Sequence, residues 1–227
     1  MTHPRLDRSQ IRMKPLAERA NKQRIEADRI MPDTRPTGLD DETATAVGVT
    51  AERIRKARTA GDPVIMSFGA HTIKNCLAPV LIGLMEDGWI SHLATNGAGI
   101  IHDWEFAWLG QSSEDVRINV ERGEFGNWQE TGYYINLALV VGAYLDQGYG
   151  EAVGKMIEDE GWEIPDAVSL AAVVREAVDD EPETAAAAAD LLSAVRRFGL
   201  SPGWLEVPHP WKRFSVQAAA YRLGIPF

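Results

Sequence analysis

The sequence predicts an α/β fold, a Rossmann-like parallel sheet flanked by helices, on three observations. The run Val64–Phe68 is short, apolar and partly β-branched, and it ends at Gly69-Ala70, as a buried parallel strand feeding a turn does. A second run, Trp89–Ala94, ends in Thr95-Asn96-Gly97-Ala98-Gly99. Each run hands over to a segment with apolar residues at helical spacing. Strand, glycine turn and helix therefore occur twice in succession between Pro63 and Gly110.

The first helical segment, Ile73–Glu86, carries Ile73, Leu77, Val80, Leu81 and Leu84 at helical spacing, and Gly88 stops it. The second runs from Ile100 to Leu109. In an open parallel sheet, strand-to-helix turns lie at the carboxyl edge, where ligands bind. Small residues let a backbone approach a ligand, and free N–H groups at a helix start attract anions. Gly69, Ala70, His71 and Thr72 in the first turn, and Thr95, Asn96, Gly97 and Ala98 in the second, are the candidate nucleotide- or dinucleotide-binding residues. Neither turn is a GxGxxG fingerprint or a Walker A sequence, and two ordinary glycine-containing connections are the alternative.

His102, Asp103 and Glu105 crowd the start of the second helix, with His102 and Glu105 on one face. Acids there act either as caps and dipole partners or as grips for a ribose or an amine. Lys74 reads as a first-turn cation that opposes the helix dipole unless an anion such as phosphate compensates; a solvated lysine is the alternative. Cys76 sits in the helical pattern and reads as a buried structural thiol rather than a nucleophile.

The stretch SFGAHTIKNCLAPVLIGLMEDGWISHLATNGAGIIHDWEFAWLG, followed by SSEDV and GEFGNWQETG, resembles the deoxyhypusine synthase family, particularly its bacterial deoxyhypusine-synthase-like branch. Looser likeness continues through AAAYRLGIPF. The resemblance implies a Rossmann-like fold, a homotetramer, bound NAD, and transfer of an aminobutyl group from a polyamine, spermidine, to a lysine or another amine. The T-T-A-G-G-x-E-E-D block that binds NAD in the eukaryotic synthases corresponds to Thr95 through Asp103. Thr95 and Asp103 match, while Ile101 and His102 stand where the paired glutamates would be. The resemblance thus implies an NAD pocket that takes in His102 and Asp103, with its acidic lining altered. The reactive lysine of characterised synthases lies in a W-G-K motif without a counterpart: Trp211-Lys212 lacks the glycine and Gly154-Lys155 the tryptophan. No catalytic residue is assigned. The alternatives are a non-catalytic nucleotide-binding or oligomeric scaffold, or a truncated chain without transferase activity.

A chain of 227 residues can bury one sizeable core, and 45% hydrophobic with 25% charged residues fits a soluble globular protein. Net charge of −10 argues against general nucleic-acid binding and permits a cationic substrate such as a polyamine. One cysteine excludes an internal disulfide and a thiolate cluster and fits a reducing cytoplasm. No histidine pair has zinc spacing, no Gly-x-Ser-x-Gly elbow is present, and no apolar run is long enough to span a membrane.

The domain plan is an N-terminal arm, 1–37, and one Rossmann-like domain, 38–227. The arm is rich in arginine (Arg5, Arg8, Arg12, Arg19, Arg24, Arg29), is interrupted by prolines, and has one short helix near Leu16–Ile30. It reads either as a solvated tail or as a strap across an acidic neighbouring subunit. A helix follows at about Thr50–Thr59. Asn127 and Glu130 have capping-box spacing before a long helix, Trp128 to about Asp146, whose face is Ile135, Leu139, Val140 and Ala143. A helical hairpin inserted at about 161–200 is expected from Asp166–Val178 and the alanine-rich Thr184–Phe198. Ile225-Pro226-Phe227 reads as the start of a further parallel strand.

Overall fold

The computed structural model describes residues 3–7 and 10–227; Arg8 of the expected arm lies outside the described residues. The chain is mixed α/β with small sheets. Helix α5 (Gly97–Leu109) contributes to both of two apolar cores. Ile100, Trp104 and Ala107 face one core, and Phe106 faces the other.

The predicted parallel unit is present. Strands β2 (Ile65–Ser67) and β3 (His92–Ala94) pair in parallel, with Ile65 opposite His92 and Ser67 opposite Ala94. On the far side of β3, Leu93 N–H donates to Pro226 O at 2.9 Å, so the last residues lie along its free edge. The strand Val64–Phe68 is not buried as expected. Ile65 is 64% exposed, because β2 has no neighbour beyond its outer edge among the described residues.

The expected helix Ile73–Glu86 is broken in two, α3 (Ala70–Lys74) and α4 (Ala78–Glu86). Pro79 is the cause: it lacks an N–H, and its ring would collide with the carbonyl of Asn75 in a continuous helix. Cys76 takes up the break with a left-handed φ of 61°. It is buried, as expected, but in the linker rather than in a helix, and burial followed by the Asp28 charge pushes its thiol up to about 11. Lys74 is consequently the last residue of its helix rather than a first-turn cation, where the dipole favours it.

From Lys14 onward the expected arm is part of the body. Lys14 bridges to Trp128, strand β1 (Asn21–Arg24) pairs antiparallel with β4 (Gln111–Glu114), and the expected helix near Leu16–Ile30 shrinks to Ile25–Asp28 (α1). Leu16 is buried in the first core and Ile25 in the second. Each such side chain contributes about 2 kcal/mol of docking. The amphipathic signal was invisible because the segment serves two cores from a short, mixed-type stretch.

Helix α2 (Asp41–Ala60) starts nine residues earlier than the sequence suggests, capped by Asp40, whose side chain accepts from Thr43 N at 2.7 Å. Helix α6 (Val116–Glu121) follows β4, capped by Asp115. Helix α7 (Gln129–Tyr144) is present, but the capping box is not: Trp128 is the N-cap residue, and Glu130 accepts from Leu16 N at 2.6 Å instead. Its buried face is Ile135, Leu137, Ala138 and Val141, so Leu139, Val140 and Ala143 are not its centre. Helix α8 (Tyr149–Asp159) leads to β5 (Gly161–Ile164), then to the hairpin of α9 (Ala167–Ala177) and α10 (Pro182–Phe198). Strand β6 (Gly203–Glu206) closes back on β5, antiparallel, so the inserted hairpin stands on a two-stranded ribbon. Helix α11 (Val216–Leu223) packs on α8 and α4. Three two-stranded sheets thus stand where one parallel sheet was expected, and β2–β3 is the parallel one.

Candidate functional site

Parallel pairing brings both glycine turns to the same end of β2 and β3. Phe68 N–H donates to Ala94 O at 3.0 Å, and the Thr95 hydroxyl donates to Phe68 O at 2.8 Å, so the turns are stitched side by side. Gly69, His71, Asn96, Gly97 and Ala98 are exposed there, and Ala70, Thr72 and Thr95 are half-buried. Asn96 caps α5, its Oδ1 accepting from Gly99 N at 3.0 Å. A Cβ on Gly99 would collide with Thr95 Oγ1, whereas one on Gly69 or Gly97 would meet nothing within 4 Å. Gly99 is therefore small for packing, while Gly69 and Gly97 present open backbone.

Two cavities flank this edge. One, about 320 Å³, is lined by Thr95, Asn96 and Gly97 with Tyr149 and Phe227. The other, about 300 Å³, is a largely apolar cleft lined by Ala98, Phe125 and Trp128, into which His102, Lys74 and Ser113 also open. Of the expected residues, the structure thus places Thr95–Gly97 on one side and Ala98 with His102 on the other. Gly69 is the N-cap residue of α3 and Ala70–Thr72 are its first turn, helical rather than loop, and they line neither cavity.

Asp103 also lines neither. It is buried, and its carboxylate accepts from the Ser215 hydroxyl at 2.6 Å, Val216 N at 2.9 Å, and Gln217 N and Nε2 at 3.1 and 3.0 Å. It clamps the start of α11. Burial raises its pKa, and these donors pull against that.

Beneath the His102 cleft lies a polar network the sequence only partly signals. Glu105, 1% exposed, receives both terminal nitrogens of buried Arg19, at 2.8 and 2.6 Å. Ser112 donates to Glu105 Oε2 at 2.6 Å and Thr131 to Oε1 at 3.1 Å. His102 Nδ1 lies 2.7 Å from Ser112 Oγ. Burial works to raise the Glu105 pKa, but His102, Arg19 and Ser112 outweigh it and hold the carboxyl at about 2. His102 and Glu105 sharing a face is readable from their spacing. Arg19, 86 positions from Glu105, comes from the segment expected to be an arm. Ser112 and Ser113 are residues of β4, just ahead of the α6 cap at Asp115. Ser113 is buried at a left-handed φ of 74°, a conformation costly for a serine, and its hydroxyl has no partner among the described residues.

We find no protein family, curated protein or solved structure that matches the chain. Among the described residues, no group of histidine, cysteine and acidic side chains is placed to hold a metal ion, and no helix is long and apolar enough to cross a membrane.

Proposed function

We propose that the chain is a dinucleotide-binding protein of the deoxyhypusine synthase type, Rossmann-like in its sheet-edge unit, that uses NAD to transfer an aminobutyl group from a polyamine to an amine acceptor. The observation that carries this reading is the pair of exposed glycine turns held together at the carboxyl end of β2 and β3. That is where an open parallel sheet binds its ligand.

The residues fit the cofactor. Gly69, Ala70, His71 and Thr72, with Thr95, Asn96, Gly97 and Ala98, would hold it, because their backbone is exposed and uncrowded at Gly69 and Gly97. The free N–H groups at the start of α5 and the ammonium of Lys74, which has no ion-pair partner among the described residues, supply attraction for its phosphates. NAD, when bound, supplies a hydride acceptor. The chain's net charge of −10 suits a cationic polyamine. Assembly as a cytoplasmic homotetramer belongs to the same reading, and the exposed Val47, Val49 and Ile65 offer apolar surface for it.

A second reading, a nucleotide-binding scaffold without transfer, is favoured by the lysines nearest the reactive motif. Lys155 is ion-paired with Asp159, and Lys212 with Glu160 at 3.1 Å. For Lys155 desolvation works to lower the pKa, yet Asp159 raises it overall, so the amine is held protonated rather than poised for attack.

Incubation with NAD and spermidine, followed by absorbance of NADH and by chromatography for diaminopropane, tests both. Formation of the two products is the expected outcome. NAD binding without products selects the scaffold, and failure to bind NAD removes both readings.

A further inference from the structure

We propose that His102 is a general base at the cleft it lines, held in a fixed tautomer by Ser112 and Glu105, and that it takes the proton from an ammonium group of the substrate. The inference rests on the amine-transfer reading for its ligand, but not for its geometry.

Glu105 is held ionised by the Arg19 guanidinium, so it can only accept. Ser112 Oγ is 2.6 Å from Glu105 Oε2, and its single hydrogen must therefore point there. The same oxygen is 2.7 Å from His102 Nδ1 and has only lone pairs left to offer. A neutral imidazole carries one N–H, and this contact places it on Nδ1. Nε2 keeps the free lone pair. It makes no hydrogen bond to the described residues, and His102 lines the cleft with its side chain 21% exposed.

Nδ1 itself is 3.8 Å from Glu105 Oε2, too far for a direct hydrogen bond. The carboxylate acts through the hydroxyl, so Ser112 and Glu105 are positioning residues. When Nε2 gains a proton, the imidazolium charge is balanced across Ser112 by Glu105. The charged groups facing the ring from neighbouring elements are Arg19, cancelled by Glu105, Lys74 from α3, and Glu114 from β4. Glu114 is already held by Asn119, Gly126 N–H and Trp128.

The step balances. The substrate N–H bond breaks, its electron pair stays on nitrogen, and the proton bonds to Nε2, giving a free amine and an imidazolium. The unpartnered, strained Ser113 hydroxyl on the same cleft is a second acceptor for the amine's remaining hydrogens.

The test is nitrogen-15 spectroscopy of the histidine rings in the full chain, with His102 assigned by comparison with His102→Gln. The expected result is a neutral ring protonated at Nδ1 and bare at Nε2, an Nε2 resonance that moves when spermidine is added, and loss of the fixed tautomer in Ser112→Ala. An Nε2–H tautomer overturns the relay, and an Nε2 resonance indifferent to spermidine, with or without NAD, overturns the amine as its ligand. In the product assay, His102→Gln should lower kcat by about 100-fold or more, as loss of a general base does. Unchanged turnover in that variant overturns the base. A fixed Nδ1–H tautomer in a wild type that binds spermidine without making NADH fails the transfer reading alone.

Discussion

Two carboxylates stand two positions apart on α5, both almost wholly buried, and the molecule treats them in opposite ways. On one face Asp103 meets only neutral donors, the Ser215 hydroxyl, two backbone N–H groups and the Gln217 amide, and burial raises its pKa. On the other face Glu105 meets the Arg19 guanidinium as well as Ser112 and Thr131, and it is held at about 2. At Asp103 the neutral donors fall short of offsetting burial, whereas at Glu105 the added guanidinium, with His102 and Ser112, more than offsets it. The first carboxylate clamps two helices together. The second maintains a fixed negative charge beneath a cleft, with a histidine hung from it.

The largest effect expected from breaking this contrast is Glu105→Gln. It strands the Arg19 guanidinium in the interior and should destabilise the fold by about 3–5 kcal/mol. Urea unfolding checks this, and pH sharpens it. A carboxyl lowered from 4.5 to about 2 contributes stability that is present above its unfolded pKa and lost as pH falls through the folded one. That contribution is on the order of 3 kcal/mol. The gap between wild type and Glu105→Gln should therefore close as pH drops from 4.5 toward 2. A gap unchanged over that window means that Glu105 is not ionised in the folded protein.

Asp103→Asn is the smaller perturbation. It leaves no cation unpaired and turns one amide N–H₂ toward the α11 donors, at a cost of about 1–2 kcal/mol. Its pH behaviour has the opposite sign. With a raised pKa, Asp103 contributes stability that is present below 3.8 and lost as pH rises through the folded value. The variant should accordingly compare best with wild type at neutral pH and worst in acid, which the same urea titrations measure. A cost equal to that of Glu105→Gln would contradict the distinction.

The same two sites mark what could be read from the chain. The βα units were legible because β-branched runs, glycine turns and helical periodicity agree locally from Pro63 to Gly110. The break at Cys76 follows from Pro79, a local signal outweighed by an apolar pattern that continues across it. His102 and Glu105 were visible as a facing pair. Their partners were not, because Arg19 reaches Glu105 across 86 positions and Ser112 reaches His102 only once β4 pairs with β1. Nothing in periodicity or capping reports such a crossing. The segment 14–28, with its arginines and prolines, looked solvated because Leu16 and Ile25 are each sent to a different core.

On the dinucleotide-binding reading, the turn at the start of α5 acts together with its neighbour at Gly69–Thr72. Amide hydrogen exchange with and without NAD measures this directly. Protection arising together in Gly69–Thr72 and Thr95–Gly99 is the predicted result. Exchange unchanged in both turns at saturating NAD, or protection confined to a distant element such as the α9–α10 hairpin, would contradict it.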